Sequence, residues 1–283
     1  MAGVKIFTNS CSDIPPSLAE EMDITLIPDT IIFNGVNEYR NNIDITPKEI
    51  FPMMDQSPKL PTTSHPNIAV YESCFKTAEN YDDILCITIT SKMSGTHNTA
   101  KMASDMLKAE GFKPNIYVYD SLQVSFGLAI MAVRAAALAK EGKSVSEIIS
   151  FLDSIKSNVG VYFIMKSLQN AKKGGRVGAI RVLAADILGV KPLLMFRDGL
   201  VKDIGIMRNY TEGLNAVIEK YKKLAAFGGE VFIFHSDNEN DARFVEYKIR
   251  EIDPNASIRI EWVGAAIGIY TGRGCVGISF IEK

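Results

Sequence analysis

The stretch Asp82–Ala100, DDILCITITSKMSGTHNTA, constrains the fold more than any other. An apolar run, Ile84–Thr90, enters a polar turn, Ser91–Thr96, and then a segment whose apolar residues Ala100, Ala103, Met106 and Leu107 recur at helical spacing. Strand, tight turn and helix therefore follow in order. In an open α/β sheet such a turn lies at the carboxyl end of a strand and the positive end of a helix, where anions are held. Ser91, Ser94 and Thr96 are candidate ligands for a negatively charged group. The competing reading is that Ser94 caps the helix, the commonest role for serine there.

The neighbouring chain repeats the alternation. Val4–Thr8 reads as a strand, Asn9–Asp13 as a hydroxyl-rich turn, and Pro15 or Pro16 as the first turn of a helix. Ile24–Phe33 is apolar and β-branched, and Asn34-Gly35 predicts a hairpin into Val36–Tyr39. Thr46-Pro47-Lys48-Glu49 combines an N-cap, a proline at the first helical position and a capping glutamate. Ser57–Asn67 is a proline-punctuated loop that holds Thr62, Thr63 and Ser64 extended. A strand at Pro114–Asp120, a long helix at Leu122–Ala139 ended by Gly142, and a capping box at Ser144–Glu147 complete the pattern. The fold class is α/β, with a first domain at 1–157 built as a three-layer α/β/α unit on a mostly parallel sheet.

From Val159 the texture changes. A strand Val159–Ile164, a basic turn Ala171–Arg176, an apolar helix Val177–Leu188 and a hairpin of Pro192–Phe196 with Leu200–Ile206 come in succession. A helix to Ala226, a strand Val231–His235, a helix Asp241–Ile252 and strands near Ser257–Trp262 and Cys275–Ile281 follow. Adjacent strands joined by a hairpin indicate a mixed sheet, so a second α/β domain is expected at 158–283.

Charge narrows the function. The 31 basic and 33 acidic side chains nearly cancel over 283 residues, which argues against nucleic acid and against a polybasic membrane patch. No apolar run approaches the ~20 residues that span a bilayer, and MAGVKIFTNS enters a strand directly, so a cytoplasmic location is expected. Cys11, Cys74, Cys86 and Cys275 show no CxxC spacing and read as buried thiols. With His65, His97 and His235 as the only histidines, a multi-histidine metal site is not expected. Walker, GxGxxG and GxSxG patterns are absent, so no cofactor is expected. The glycine-rich segments Lys172–Gly178 and Gly264–Gly277 let backbone approach a ligand closely, and their Arg176 and Arg273 are planar donors or solvated turn residues. His65 stands among the loop hydroxyls as a candidate site residue. His97 reads as a capping residue and His235 as a structural one.

Four separated segments together resemble the DegV family, the fatty-acid-binding subunits of bacterial fatty acid kinase. They are Pro61–Pro66 (PTTSHP, against PTTSQP), Ser91–Thr96 (SKMSGT, against SxLSGT), Lys173–Val177 (KGGRV) with Lys191-Pro192, and Ile267–Gly277 (IGIYTGRGCVG, against IGxHTGPGxxG). Asp120-Ser121 and Asn9-Ser10 (family Asp-Ser) agree as well, and the resemblance spans the chain in order. It implies a long-chain fatty acid bound between two domains, its carboxylate held by Thr63 and Ser94 with Thr62, Gly95, Tyr270 and Arg176. Ser64, His65, Ser91, Thr96 and Thr271 are the expected outer shell. It further implies a non-enzymatic, lipid-binding carrier whose partner is a separate ATP-binding kinase subunit, with transient membrane contact to collect the acid. Val177–Leu188 and Pro192–Phe196 are the expected walls of the acyl slot.

The chain departs from the family pattern at Tyr270, where the family has histidine, and at Arg273, where it has proline. Asn9 stands for aspartate and His65 for glutamine. A tyrosine donates a hydrogen bond without a histidine's charge, so binding is expected to survive while phosphoryl transfer is weakened or tuned. Two other readings remain open: a hydrolase or transferase with Ser94 as nucleophile and His97 or His65 as base, and a carrier of another amphiphile.

Overall fold

The computed structural model describes residues 3–175 and 191–283. Among them, strands β1 (Val4–Asn9), β2 (Ile24–Ile27), β3 (Thr30–Phe33), β4 (Asn37–Arg40), β5 (Thr62–Ser64), β6 (Asp83–Thr88) and β7 (Asn115–Asp120) come first. Then follow β8 (Val159–Ile164), β9 (Lys191–Arg197), β10 (Leu200–Met207), β11 (Glu230–His235), β12 (Ser257–Trp262) and β13 (Val276–Ile281). They form a parallel sheet β2-β1-β6-β7, a small antiparallel sheet β4-β3-β5 and a mixed sheet β10-β9-β8-β13-β11-β12. Within the mixed sheet β11 and β12 run parallel and the other neighbours antiparallel.

The helix Phe126–Lys140 lies between the parallel and the mixed sheets. It is apolar nearly all round, with Phe126 to Val133 buried without interruption, as a helix with a sheet on each side must be. One core cluster accordingly joins Ile6 and Leu85 of the parallel sheet, Phe126 and Ile130 of the helix, and Val161, Phe163 and Phe234 of the mixed sheet. Phe126 stacks on Phe232 and Phe234 at 5.3 and 5.4 Å between ring centroids. The outer face of the parallel sheet is covered by helices Ile68–Lys76 and Thr96–Ala109. Tyr210–Leu224 and Glu239–Ile252 cover the outer face of the mixed sheet.

Local signals act where they occur. Asn34 and Gly35 both take positive φ, 52° and 77°, in a three-residue loop between paired Phe33 and Asn37, and so do Asp198 and Gly199, at 56° and 81°, in a two-residue loop, the turn geometry that matches strand twist. Glu49 receives the Thr46 N–H at 2.8 Å, and Glu147 receives that of Ser144 at 2.9 Å.

Several expectations change. The run Ile24–Phe33 is two strands in two sheets, separated at Pro28-Asp29, because proline cannot continue a ladder. The helix expected from Leu122 begins at Phe126: Ser121 and Gln123 are still bonded to Thr88 and Thr90, and Leu122 and Ser125 have positive φ. Ala171–Arg176 is not simply a turn, since Gln169–Gly174 is helical and closed by Gly175 at φ 69°. Met106 is exposed although Ala100, Ala103 and Leu107 of the same helix are buried, and Cys74 is half-buried. Arg176 and Val177–Leu188 lie outside the described residues.

Candidate ligand-binding site

In the parallel sheet the chain leaves β1 toward β2 on one side and returns as β6 on the other. The carboxyl ends of β1 and β6 therefore flank a switch point, the place where open α/β sheets bind ligands. The β6 end continues through Ile89 and Met93 to Ser94, and the β1 end through Asn9 to Cys11. The three-stranded sheet adds β5, held by pairing of Thr63 with Ile31 and Ser64 with Thr30. The helix Ala265–Thr271 brings Tyr270 and Thr271 from the distant part of the chain.

These elements and the inner face of the mixed sheet enclose a cavity of about 240 Å³. That exceeds the roughly 150 Å³ of an engineered cavity that takes up benzene. Thr63, Ser64, His65, Ser94, Gly95 and Tyr270 form its polar cluster. Val161, Phe163, Leu194, Phe196, Val201 and Phe234 contribute apolar wall. Val161 with Phe163 and Leu194 with Phe196 are alternate positions on adjacent paired strands, so they share one face.

The polar groups interlock. Thr63 Oγ1 and Tyr270 Oη are 2.6 Å apart, and Ser94 Oγ and Thr96 Oγ1 are 2.7 Å apart. Thr96 N also donates to Ser94 Oγ at 3.3 Å, so Ser94 assists the start of helix Thr96–Ala109, whose N-cap is Gly95. A hydroxyl has one donor and two acceptor sites. When Tyr270 donates to Thr63 and Thr96 donates to Ser94, both Thr63 and Ser94 keep a proton for a ligand oxygen. The His65 ring packs on Gly95 so closely that a Cβ there would approach it to 3.2 Å. Glycine thus admits the ring against the turn.

Two acidic or thiol groups were not anticipated. Asp29, at the break between β2 and β3, lines the cavity and is buried, accepting from Ser10 Oγ at 2.9 Å and Cys11 N at 3.2 Å. Burial pushes its carboxyl up, against the lowering effect of those hydrogen bonds and of His65. Cys11 also lines the cavity, and burial together with Asp29 pushes its thiol well up, so it stays protonated. Proline followed by aspartate inside an apolar run was the signal available for Asp29.

The expected residues divide clearly. Thr63, Ser64, His65, Ser94, Gly95, Tyr270 and Thr271 line one cavity. Thr62, at the far end of β5 from His65, is exposed and does not. Ser91 is exposed and its N–H bonds Asp120 at 3.2 Å. Thr96 is buried behind Ser94, and Thr271 is shared with Ser236 at 2.9 Å. His97 Nδ1 meets Thr88 Oγ1 at 3.2 Å, and burial lowers its pKa. His235 is buried, accepts from Asn238 N at 3.2 Å and packs against the Trp262 ring at a tilt of 58°. Arg273 is not simply solvated: it pairs with Asp237 and with Asp55 at 2.7 Å and lies over the Phe51 ring. Among the described residues no group of three His, Cys, Asp or Glu gathers for a metal, and no helix is long and apolar enough to cross a membrane.

A parallel sheet, a separate mixed sheet and a hydroxyl-fringed apolar cavity at the switch point define a mixed α/β protein with the architecture of a small-molecule binder. The chain belongs to the DegV family: the family described as "Uncharacterised protein, DegV family" matches residues 3–283. A DegV domain-containing protein of Clostridium acetobutylicum is 30% identical, with 100% of each chain covered. Among solved structures, DegV of Bacillus subtilis, described as a fatty acid binding protein, is 26% identical with a TM-score of 0.91, covering 100% of both chains. A stearic acid-binding protein of Eubacterium ventriosum is 27% identical with a TM-score of 0.88, covering 99% of this chain and 98% of that one.

Proposed function

We propose that this chain is a carrier that holds a long-chain fatty acid in the cavity. Its carboxylate accepts hydrogen bonds from Thr63 and Ser94 and from the Gly95 turn, with Tyr270 at the same cluster donating to Thr63 and orienting it. The carrying observation is that Thr63, Ser94 and Tyr270, distant in sequence, line one cavity whose remaining wall is largely apolar. Hydroxyl and N–H donors give a carboxylate charge-assisted bonds, while the tail supplies affinity. About fourteen methylenes at ~0.8 kcal/mol each represent roughly 11 kcal/mol of gross transfer energy before the costs of association. The two solved relatives described as fatty-acid binders support this ligand class.

The finer reading is that the carrier takes its acid in transient contact with a membrane and shows the carboxylate to a separate ATP-dependent kinase. The acyl phosphate then stays on the carrier. This follows the family resemblance, and Ser64, His65 and Gly95, which are exposed beside the hydroxyl cluster, leave room for such access. Arg176 is proposed as a further partner of the carboxylate, and 1–157 and 158–283 as the two domains that share it. A cytoplasmic setting fits this role. An enzyme with Ser94 as nucleophile is disfavoured, because His97 is engaged by Thr88 and, among the described residues, no hydrogen bond joins His65 to Ser94.

The test is solvent extraction of purified protein followed by mass spectrometry, with Thr63→Ala/Ser94→Ala alongside. A stoichiometric long-chain acid kept by the parent and lost by the variant is expected. A bound molecule without a carboxylate would overturn the assignment, and acyl-ester turnover that disappears in Ser94→Ala would replace it with the enzyme.

A further inference from the structure

Asp29 is the group that a carboxylate carrier least requires in its cavity wall. It stands just behind the hydroxyl cluster: Thr30 pairs with Ser64 at the end of the β3–β5 ladder, and one residue further along the two strands come Asp29 and His65. Both line the cavity, Asp29 buried and His65 exposed. His65 is the basic side chain whose proximity favours the charged form of Asp29. The other titratable groups around Asp29 are Cys11, Asp13 and Tyr71, and each is held in its protonated form in part by the negative charge of Asp29. None of those three supplies a counter-charge.

A fatty acid seated at Thr63 and Ser94 would place a second carboxylate in the same cavity. Two like charges sharing a site away from water repel strongly, and such pairs resolve the repulsion by holding a proton between them. An imidazole can take up that proton near neutral pH and donate from both ring nitrogens. His65 is near both positions: it follows Ser64, whose ladder partner Thr30 follows Asp29, and its ring packs on Gly95 beside Ser94.

We propose that the acid is bound together with one proton, taken up by the Asp29–His65 pair, so that an imidazolium stands between the Asp29 carboxylate and the ligand head group. This deepens the carrier reading and rests on it. His65 then touches the ligand, and Asp29 is a positioning residue that acts through His65. Linkage sets the consequence: where the complex holds the proton and the free partners do not, affinity falls up to tenfold for each unit rise in pH.

The measurement is calorimetric titration of the full chain with hexadecanoate in phosphate and in Tris, buffers of unlike ionisation enthalpy, at about pH 8. Hexadecanol serves as the probe without a carboxyl group. The difference between buffers is expected to report about one proton per acid and none for the alcohol. His65→Gln, at an exposed position, should abolish the uptake and weaken binding of the acid but not of the alcohol. Asp29→Asn should reduce the uptake while its circular dichroism matches the parent. An acid that binds with no proton from about pH 6 to 9 overturns this inference alone, and so does uptake unchanged in both variants, which would place the proton elsewhere, for example on Asp13. An acid that fails to bind while the alcohol binds overturns the carrier reading, and this inference with it.

Discussion

Ser125 donates a 2.5 Å hydrogen bond to Asp13 across 112 residues of chain. The acceptor sits in left-handed backbone, φ 58°, and its other oxygen lies against Gly264. Burial pushes this carboxyl from 3.8 up to about 7, although Ser125 acts to lower it.

Stability should therefore depend on pH through Asp13. Between 3.8 and about 7 the folded state keeps a proton that the unfolded chain has lost. Its contribution is fully present below the lower value and is lost as pH rises to the upper one, a fall of roughly 4 kcal/mol for this group alone. Asp13→Asn keeps the shape and an acceptor for Ser125, and asparagine tolerates positive φ. Urea unfolding at about pH 5 and pH 8 is expected to show the parent losing stability and the variant losing much less. Equal losses would refute the assignment.

Tyr270→Phe removes the hydroxyl that meets Thr63 at 2.6 Å. A lost hydrogen bond of about 0.5–1.5 kcal/mol corresponds to a roughly twofold to tenfold weaker hold on hexadecanoate. Thr63→Val should act similarly, and the two changes together should cost less than their product, because they break one shared contact. Fluorescent fatty-acid displacement reads all three; unchanged affinity in Tyr270→Phe would remove that hydroxyl from the site.

Gly174 packs directly against the Tyr270 ring, and a Cβ there would run into it. Gly174→Ala favours the helix by about 0.5–1 kcal/mol, yet it is expected to drive the ring from Thr63 and weaken binding at least as much as Tyr270→Phe. In a Tyr270→Ala background the same change should have little further effect on affinity. A penalty that persists there would mean that Gly174 serves another purpose.

Phe126→Ala should cost about 3–5 kcal/mol, because a fully buried ring stacked on Phe232 and Phe234 leaves a cavity between the sheets. Thermal unfolding checks it. A loss below about 1 kcal/mol would mean that the surrounding core closes over the gap.

What was legible in the sequence was what is decided locally. Asn34-Gly35 and Asp198-Gly199 dictate hairpins through their own φ angles, and the Thr46 and Ser144 caps start helices from four residues each. The alternation of strands and helices gave the parallel sheet, and the 197–199 turn gave the mixed one. Less legible was whatever depends on tertiary pairing. Nothing local to Ile24–Phe33 says that its halves join different sheets, and Leu122–Ser125 has helical composition but is held by Thr88 and Thr90. Ser94 was readable from its turn as a candidate anion ligand, and Thr63 as one of three hydroxyls held extended in a proline-bounded loop. Tyr270 joined them only through the family resemblance, because the contact lies 207 residues from Thr63. Asp29 escaped notice because its significance comes from what folds around it.

That separation of 207 residues also orders events during synthesis. At about 5–20 residues per second, Thr63 is made roughly 10 to 40 seconds before Tyr270. The parallel sheet, whose strands all precede residue 121, can assemble in that interval. The hydroxyl pair cannot, so under the proposed carrier reading a nascent chain presents only part of the grip, and uptake is expected of finished molecules.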